Sequence, residues 1–147
     1  MIRRARPGDV AAVVRIFRAS REEAMPWLPV LHTPEEDAGW FGARLAGEAW
    51  VYEQEDAVVG FAVVSEDDLE ALYVDPGAQR RGVGTALFRR AQEARPRGFG
   101  WWVFRDNAQA RLFYESLGGR CLYETDGAGN EERSPDARYE WRPPGSE

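Results

Sequence analysis

The sequence contains no lysine: all 19 of its basic residues are arginine. Schiff-base catalysis and the phosphate-binding lysine of nucleotide-binding loops both need a lysine amine, so both mechanisms are excluded. Cysteine occurs once, as Cys121, which excludes an internal disulfide and fits a reducing compartment. Histidine also occurs once, as His32, and one histidine with one cysteine cannot form a ligand cluster. We therefore expect no metal site.

Long apolar segments are absent as well. No apolar run approaches the roughly 20 residues that cross a bilayer. The basic N-terminus, MIRRARPGDV, lacks the apolar core of a signal peptide. We therefore expect a cytoplasmic protein with no membrane partner. The net charge of -6 argues against a nucleic-acid partner, which needs a basic face, and favours a cationic small molecule or peptide.

Length and composition predict one globular domain over residues 1–147, with 44% hydrophobic and 30% charged residues. Predicted strands and helices follow the order β-α-α-β-β-β-α-β-α-β-β, which describes a mixed sheet with helices on its faces. The clearest helix start is a capping box, in which Thr33 and Glu36 flank Pro34. The predicted strands are MIRRA, EAWVYEQE, AVVGFAVVSE, DLEALYV, GWWVFR, RCLYET and ARYEWR.

A glycine-rich segment, QRRGVG at residues 79–84, opens the third predicted helix. Unpaired N–H groups and a partial positive charge at a helix N-terminus bind phosphate well. A Walker-type phosphate loop is excluded, because Val83 occupies the position of its lysine. A dinucleotide fingerprint is excluded too, because Leu87 stands where its third glycine belongs.

The segment QRRGVG directly follows a strand that ends in LYVDP, and it resembles the coenzyme A signature Gln/Arg-x-x-Gly-x-Gly/Ala of the GCN5-related N-acetyltransferase superfamily. The predicted order of elements is also that family's order. The resemblance implies an α/β (α+β) fold: a mixed, mostly antiparallel sheet of about seven strands flanked by about four helices. It further implies direct transfer of an acetyl group from acetyl-CoA to a primary amine of a small molecule or peptide, and a possible homodimer.

The same resemblance implies which residues bind the cofactor. Backbone N–H groups of the signature would hold the pyrophosphate, the strand before it would pair with the pantetheine amides, and the two arginines would add charge near the adenosine phosphates. On the fourth helix, an asparagine would contact the pantetheine arm and Tyr114 would protonate the leaving thiolate. The predicted set is Leu72, Tyr73, Val74, Gln79, Arg80, Arg81, Gly82, Val83, Gly84, Thr85, Asn107, Ala110 and Tyr114.

Two residues on the strand before the signature are candidates for the catalytic base. Strict alternation would place Asp68, Glu70 and Val74 on one face. By the resemblance, family members carry a carboxylate on the same face of this strand as Val74. Glu70 is therefore the first choice for the base, and Asp68 is the second. A solvated acidic hairpin explains the same residues equally well. Other members place a glutamate on the next strand, where this chain has Trp102.

The acceptor is expected to be chosen by two segments, residues 25–35 and 126–135. Trp27 and His32 lie in the first segment, and together with Asp68 they are the predicted substrate-binding residues. We expect the dipole of the following helix to keep His32 neutral and able to accept a proton near pH 7.

Two alternatives remain open, and one departure from the family pattern is present. Cys121 could carry the acetyl group in a ping-pong route, but a cysteine on a short apolar strand is usually inert, which favours direct transfer. A non-catalytic acyl-CoA-binding regulatory protein would keep the same cofactor residues without a competent base. Finally, the family's usual Gly-Phe ending of the fourth helix is Gly118-Gly119 here.

Overall fold

The computed structural model describes residues 1–145. Within this range it contains seven β-strands and four α-helices, in the predicted order. The helices are α1 (Val10–Ala24), α2 (Pro34–Leu45), α3 (Val83–Ala94) and α4 (Ala108–Ser116). The strands are β1 (Ile2–Arg4), β2 (Glu48–Gln54), β3 (Ala57–Ser65), β4 (Asp68–Val74), β5 (Phe99–Phe104), β6 (Arg120–Thr125) and β7 (Asp136–Trp141).

The strands form one mixed sheet in the order β1-β2-β3-β4-β5-β7-β6. Neighbouring strands run antiparallel except β4 and β5, which are parallel. In the described chain the ladder between β4 and β5 is limited to one pair, Asp68 with Gly100. The two strands therefore separate beyond this pair. The seven-stranded, mostly antiparallel sheet with four helices confirms the predicted fold class.

Two apolar clusters lie on opposite faces of the sheet. One cluster joins α1 and α2 to the sheet through side chains such as Val13, Ile16 and Phe41. The other joins α3 and α4 to it through residues such as Leu87 and Tyr114. Each helix buries one side because its apolar residues recur at helical spacing. No helix within residues 1–145 is long and apolar enough to cross a membrane.

The predicted start of α2 is confirmed in detail. The Thr33 hydroxyl accepts a hydrogen bond from the Glu36 backbone N–H at 3.1 Å, and the Glu36 carboxylate accepts one from the Thr33 N–H at 2.8 Å. Both groups satisfy backbone donors that the helix cannot pair itself. The cap fixes where α2 begins and thereby sets the path of the segment between α1 and α2.

The strict alternation predicted along β4 is wrong. The register between β3 and β4 shifts between Val63 and Val64, because Ala71 pairs with Val63 and Leu69 pairs with Val64. Glu70 is therefore the extra residue of a β-bulge, which re-aims side chains locally. Leu69 packs in the same cluster as Leu72 and Val74, the residues that alternation placed on the opposite face.

Candidate active site

A cleft of about 380 Å³ opens where β4 and β5 separate. Residues 69–74 of β4 form one wall and residues 101–104 of β5 form the other, and the starts of α3 and α4 also line the cleft. β4 pairs with β3 along its other edge, so its backbone groups on the cleft side have no strand partner beyond the single pair at Asp68 among the described residues. This free edge can hydrogen-bond an extended ligand. Leu72, Tyr73 and Val74, which the sequence predicts to pair with the cofactor, lie on this edge.

The glycine-rich segment lies at the entrance of α3, on the border of the cleft. Gly82 is the N-cap and adopts φ +81°, a left-handed conformation that glycine tolerates best. The first N–H groups of α3 have no intrahelical partner, so they are available to an anion. The cleft is lined here by Gln79, Arg80, Gly82, Gly84 and Thr85.

Val83, Arg81 and Gly84 of this segment have distinct surroundings. The Val83 side chain is buried in the core, so only its backbone can contact a ligand. Arg81 is exposed, and its guanidinium lies 3.4 Å from the Gln54 side-chain oxygen. Gly84 brings α3 close to α4, because a methyl group at this position would lie 3.1 Å from Phe113 Cζ.

The predicted residues of α4 line the same cleft. Asn107 caps the helix: its Oδ1 accepts a hydrogen bond from the Ala110 backbone N–H at 3.2 Å. The capping bond occupies the oxygen, which leaves the amide nitrogen as the group that can donate to a ligand. Asn107, Ala110 and Tyr114 all border the cleft, so the structure brings together the face predicted from their spacing.

Tyr114 is the deepest polar side chain of the predicted set, with 9% of the residue exposed. Its ring packs against Trp101 with centroids 4.9 Å apart, and also against Phe88 and Phe113. Burial raises the pKa of the Tyr114 hydroxyl well above its usual range. The hydroxyl is protonated at neutral pH, as an unshifted tyrosine also is, and its O–H can donate a hydrogen bond to a ligand in the cleft.

The two candidate bases are in different surroundings. Glu70 lines the cleft, and its carboxylate accepts a hydrogen bond from Arg44 Nε of α2 at 3.3 Å. Asp68 lies at the paired end of β4, where its carboxylate is held by Arg138 at 2.6 Å and 3.1 Å, and it is not among the residues that line the cleft. The ion pair ties Asp68 to Arg138 of β7, so the structure does not bring it into the cleft with Glu70.

A second pocket, of about 430 Å³, lies between α1, α2 and the loop that joins β6 to β7. It shares Glu70, Ala71 and Tyr73 with the cleft, so the two spaces meet at the bulge of β4. We call it the acceptor pocket, after the role that is proposed for it below. Its aromatic lining residues are Phe17, Trp40, Phe41 and Tyr73, and its carboxylates are Glu36, Asp37, Glu70, Glu131 and Glu132.

The sequence prediction named both segments that meet in this pocket but, apart from Glu70, missed its carboxylates. The signal was present as the run Glu131-Glu132 in the polar loop and as the acidic first turn of α2. Charged residues in loops and first helical turns are usually only solvated. That these carboxylates line one pocket is therefore evident only from the folded structure.

His32 lines the acceptor pocket, and its carboxylate neighbours act against the neutral form that was predicted. Its Nε2 lies 2.9 Å from a Glu131 carboxylate oxygen, and its Nδ1 lies 3.9 Å from Glu36. The hydrogen bond to Glu131 raises the pKa of His32 above 6.5, and the negative charges of Glu36 and Asp37 act in the same direction.

The structure also bears on Trp27, on Cys121 and on metal-ligating groups. Trp27 is exposed and packs edge-on against Phe104, a residue of the cleft wall, with centroids 6.4 Å apart. Cys121 lies 3.8 Å from Arg111 Nη2 and is not among the residues that line the cleft. No group of three or more metal-ligating side chains is present in residues 1–145.

A sheet split between two parallel strands, with helix amides at its opening, is the arrangement that the resemblance to the N-acetyltransferases implies. An acetyltransferase (GNAT) domain model matches residues 46–118. The chain is 29% identical over 120 residues to the peptidyl-lysine N-acetyltransferase YiaC of Escherichia coli, covering 80% of this chain and 82% of that protein.

Solved structures agree with this match. A GCN5-related N-acetyltransferase from Rhodopseudomonas palustris superposes with a TM-score of 0.79 at 25% identity, covering 97% of this chain and 95% of the other. The yncA protein of Salmonella typhimurium, solved with its cofactor acetyl-CoA, has a TM-score of 0.75 at 24% identity, covering 97% and 92%. The chain belongs to the GCN5-related N-acetyltransferase superfamily. It is an acetyltransferase that uses acetyl-CoA, and the free edge of β4 and the amides of α3 fit that molecule.

Proposed function

We propose that this acetyltransferase transfers the acetyl group directly to a primary amine in the acceptor pocket, with Tyr114 as the proton donor and Glu70 as the proton acceptor. The observation that carries the proposal is that the cofactor cleft and a carboxylate-lined pocket meet at Glu70 and Tyr73. An amine entering from the acceptor pocket would reach the reacting end of the cleft there.

The roles of the two residues follow from their surroundings. Acetyl-CoA supplies the activated acetyl group when bound. An alkylammonium has a pKa near 10.4 and must lose a proton before it can attack. The carboxylate of Glu70, which lines both the cleft and the acceptor pocket, can accept that proton directly or through water. The Tyr114 hydroxyl, which is protonated at neutral pH and borders the cleft, would supply the proton that the departing thiolate takes up.

The cofactor-binding roles of the other residues belong to the same proposal. The amides of residues 81–85 would hold the pyrophosphate, with Gln79 beside it and the charges of Arg80 and Arg81 nearby. Leu72–Val74 would pair with the pantetheine amides, and the Asn107 amide would contact the pantetheine arm.

The acceptor we propose is a primary amine of a small molecule or a peptide. The acidic lining of the pocket and the name of the relative YiaC, which acts on peptidyl lysine, both support a cationic acceptor. A cytoplasmic location fits the single reduced cysteine, and a homodimer remains the family expectation.

The experiment that tests the proposal is the Tyr114→Phe substitution. We expect thiol release from acetyl-CoA in the presence of a primary amine to fall by roughly 10²-fold or more. The thermal shift produced by acetyl-CoA should be retained, because the remaining ring keeps the packing against Trp101. The matched control is Tyr123→Phe, since Tyr123 is exposed on β6. Cofactor binding without any amine-dependent thiol release in the wild type would instead support the non-catalytic regulatory protein.

A further inference from the structure

Tyr73 stands at the junction of the cofactor cleft and the acceptor pocket. It borders both spaces, together with Glu70 and Ala71. Its ring packs against Phe17 and Phe61, with centroids 5.1 Å and 5.7 Å apart, and so lies on the face of the sheet that α1 and α2 cover. The side chain of Tyr73 therefore faces the acceptor pocket, while its backbone lies on the edge of β4 that borders the cleft.

The hydroxyl of Tyr73 has no hydrogen-bond partner within residues 1–145. It is not among the polar atoms of this range that are sealed from solvent without a partner, so a ligand can reach it. Tyr139 shows the usual arrangement, because its hydroxyl accepts a hydrogen bond from Arg111 Nε at 2.9 Å and donates one to Glu115. Tyrosine hydroxyls away from the surface normally find such partners. The hydroxyl of Tyr73 is instead left open to a ligand.

The charges closest to this hydroxyl compensate each other. Burial raises the pKa of the Tyr73 hydroxyl, while Arg21 of α1 lowers it and Glu132 of the β6–β7 loop raises it. Arg21 and Glu132 pair with each other at 3.1 Å, so their opposite charges largely cancel at the hydroxyl. The group is therefore a neutral phenol, which can accept a hydrogen bond through its oxygen as well as donate one.

Glu70 and Tyr73 face the same space because of the bulge in β4. The bulge lets Glu70 reach Arg44 of α2, on the face of the sheet where the Tyr73 ring packs. Ala71 lies between them and contributes only a methyl group. Ala71 and Tyr73 are two residues, or about 7 Å, apart along the strand. Two hydrogen bonds of about 2.9 Å that meet at one nitrogen span a comparable distance.

We infer that Tyr73 is a further acceptor-binding residue of this acetyltransferase, whose hydroxyl oxygen accepts a hydrogen bond from an N–H of the attacking amine. The inference rests on the proposed function and adds a contact to the same site. Glu70 takes one proton from the ammonium, while Tyr73 keeps its own proton and holds a second N–H. The freed lone pair of the nitrogen forms the bond to the acetyl carbon. The carbon–sulfur bond then breaks, and the sulfur keeps its electron pair and takes the Tyr114 proton. The contact with Tyr73 orients the lone pair towards the cleft.

The test is the Tyr73→Phe substitution, assayed by thiol release from acetyl-CoA with n-butylamine and with Nα-acetyl-lysinamide. We expect kcat/KM for both amines to fall about 5- to 10-fold, the effect of one neutral hydrogen bond. The KM for acetyl-CoA and the thermal shift that it produces should be unchanged, because the backbone of Tyr73 and not its hydroxyl faces the cleft. Stability to urea should also be unchanged, since no group within residues 1–145 bonds the hydroxyl.

The matched control is Tyr52→Phe. Tyr52 is also partly buried, but it lies on β2, borders neither space and packs against the cluster on the other face of the sheet. It should keep the wild-type kinetics.

The possible outcomes separate the inference from the proposed function. Wild-type kcat/KM in Tyr73→Phe, alongside the loss in Tyr114→Phe, would overturn the inference and leave the proposed function intact. A raised KM for acetyl-CoA would overturn it by assigning Tyr73 to the cofactor, and a loss of activity matched by a loss of stability would assign the hydroxyl to packing alone. Cofactor binding by the wild type without thiol release with either amine would overturn the proposed function itself.

Discussion

Arg44 of α2 joins the proposed base to an aromatic wall of the acceptor pocket. Its Nε donates a hydrogen bond to the Glu70 carboxylate at 3.3 Å, and its guanidinium carbon lies 3.4 Å from the centroid of the Trp40 ring. Glu70 reaches this partner because the β-bulge turns it away from strict alternation. The arginine therefore holds the carboxylate where cleft and pocket meet.

Glu70→Gln should lower kcat/KM at pH 7 by roughly 10²-fold, because glutamine cannot accept a proton from the acceptor ammonium. Activity should partly recover at higher pH, where more of the amine is already deprotonated (alkylammonium pKa about 10.4). Complete pH–rate profiles of the wild type and of Glu70→Gln measure both the loss and the recovery of activity. Asp68→Asn should keep the wild-type profile, because Arg138 holds that carboxylate outside the cleft. An unchanged profile for Glu70→Gln would assign the base elsewhere.

Gly82→Ala should lower the free energy of unfolding by about 1–2 kcal/mol, because alanine is strained at φ +81°. A methyl group there meets no atom within 4 Å, so the backbone alone sets the cost. Gly42→Ala is the control: its methyl group also has open space, but within α2 it should stabilise by about 0.4–1 kcal/mol. Urea unfolding measures both.

The same pair of variants tests the cofactor role of the α3 entrance. If the amides after Gly82 hold the pyrophosphate, the thermal shift produced by acetyl-CoA should shrink in Gly82→Ala and remain in Gly42→Ala. A full shift in both variants would mean that the cofactor does not depend on this conformation.

His32 should titrate above its ordinary pKa of about 6.5 in the folded protein, and Glu131→Gln should lower that pKa. The raised pKa means that the stability contributed by the pair is fully present below pH 6.5 and is lost as the pH rises through the folded-state pKa. Proton NMR of the imidazole measures this directly, since the chain has one histidine. A His32 pKa that stays the same in Glu131→Gln would show that the two side chains do not interact in solution.

Local sequence signals predicted much of this structure. The capping box at Thr33, the glycine entrance of α3 and the spacing from Asn107 to Tyr114 each depend on residues within one or two helical turns. Propensity and hydrogen-bonding geometry are therefore sufficient to predict them.

Long-range features could not be predicted in the same way. The bulge at Glu70 depends on how β4 pairs with Val63 and Val64 of β3, and the contact between His32 and Glu131 joins residues 99 positions apart. Neither has a periodic pattern in the sequence. The acceptor pocket therefore emerges only from the assembled fold, even though the segments that form it were identified.

Gly119→Ala should lower the free energy of unfolding by about 1–3 kcal/mol, although the family resemblance implied an aromatic residue at this position. A methyl group on Gly119 would lie 2.9 Å from Trp101 Cζ2 and 2.8 Å from the Tyr114 carbonyl oxygen. The indole of Trp101 leaves no room for a side chain at this position.

The close approach to Tyr114 adds a functional consequence. Relief of the clash moves the end of α4, so kcat should fall in Gly119→Ala together with stability. Gly129→Ala is the control, because its methyl group meets no atom within 4 Å in the β6–β7 loop. Urea unfolding and thiol release measure the two effects. Wild-type stability in Gly119→Ala would show that Trp101 can move aside, and the glycine would then not be required by packing.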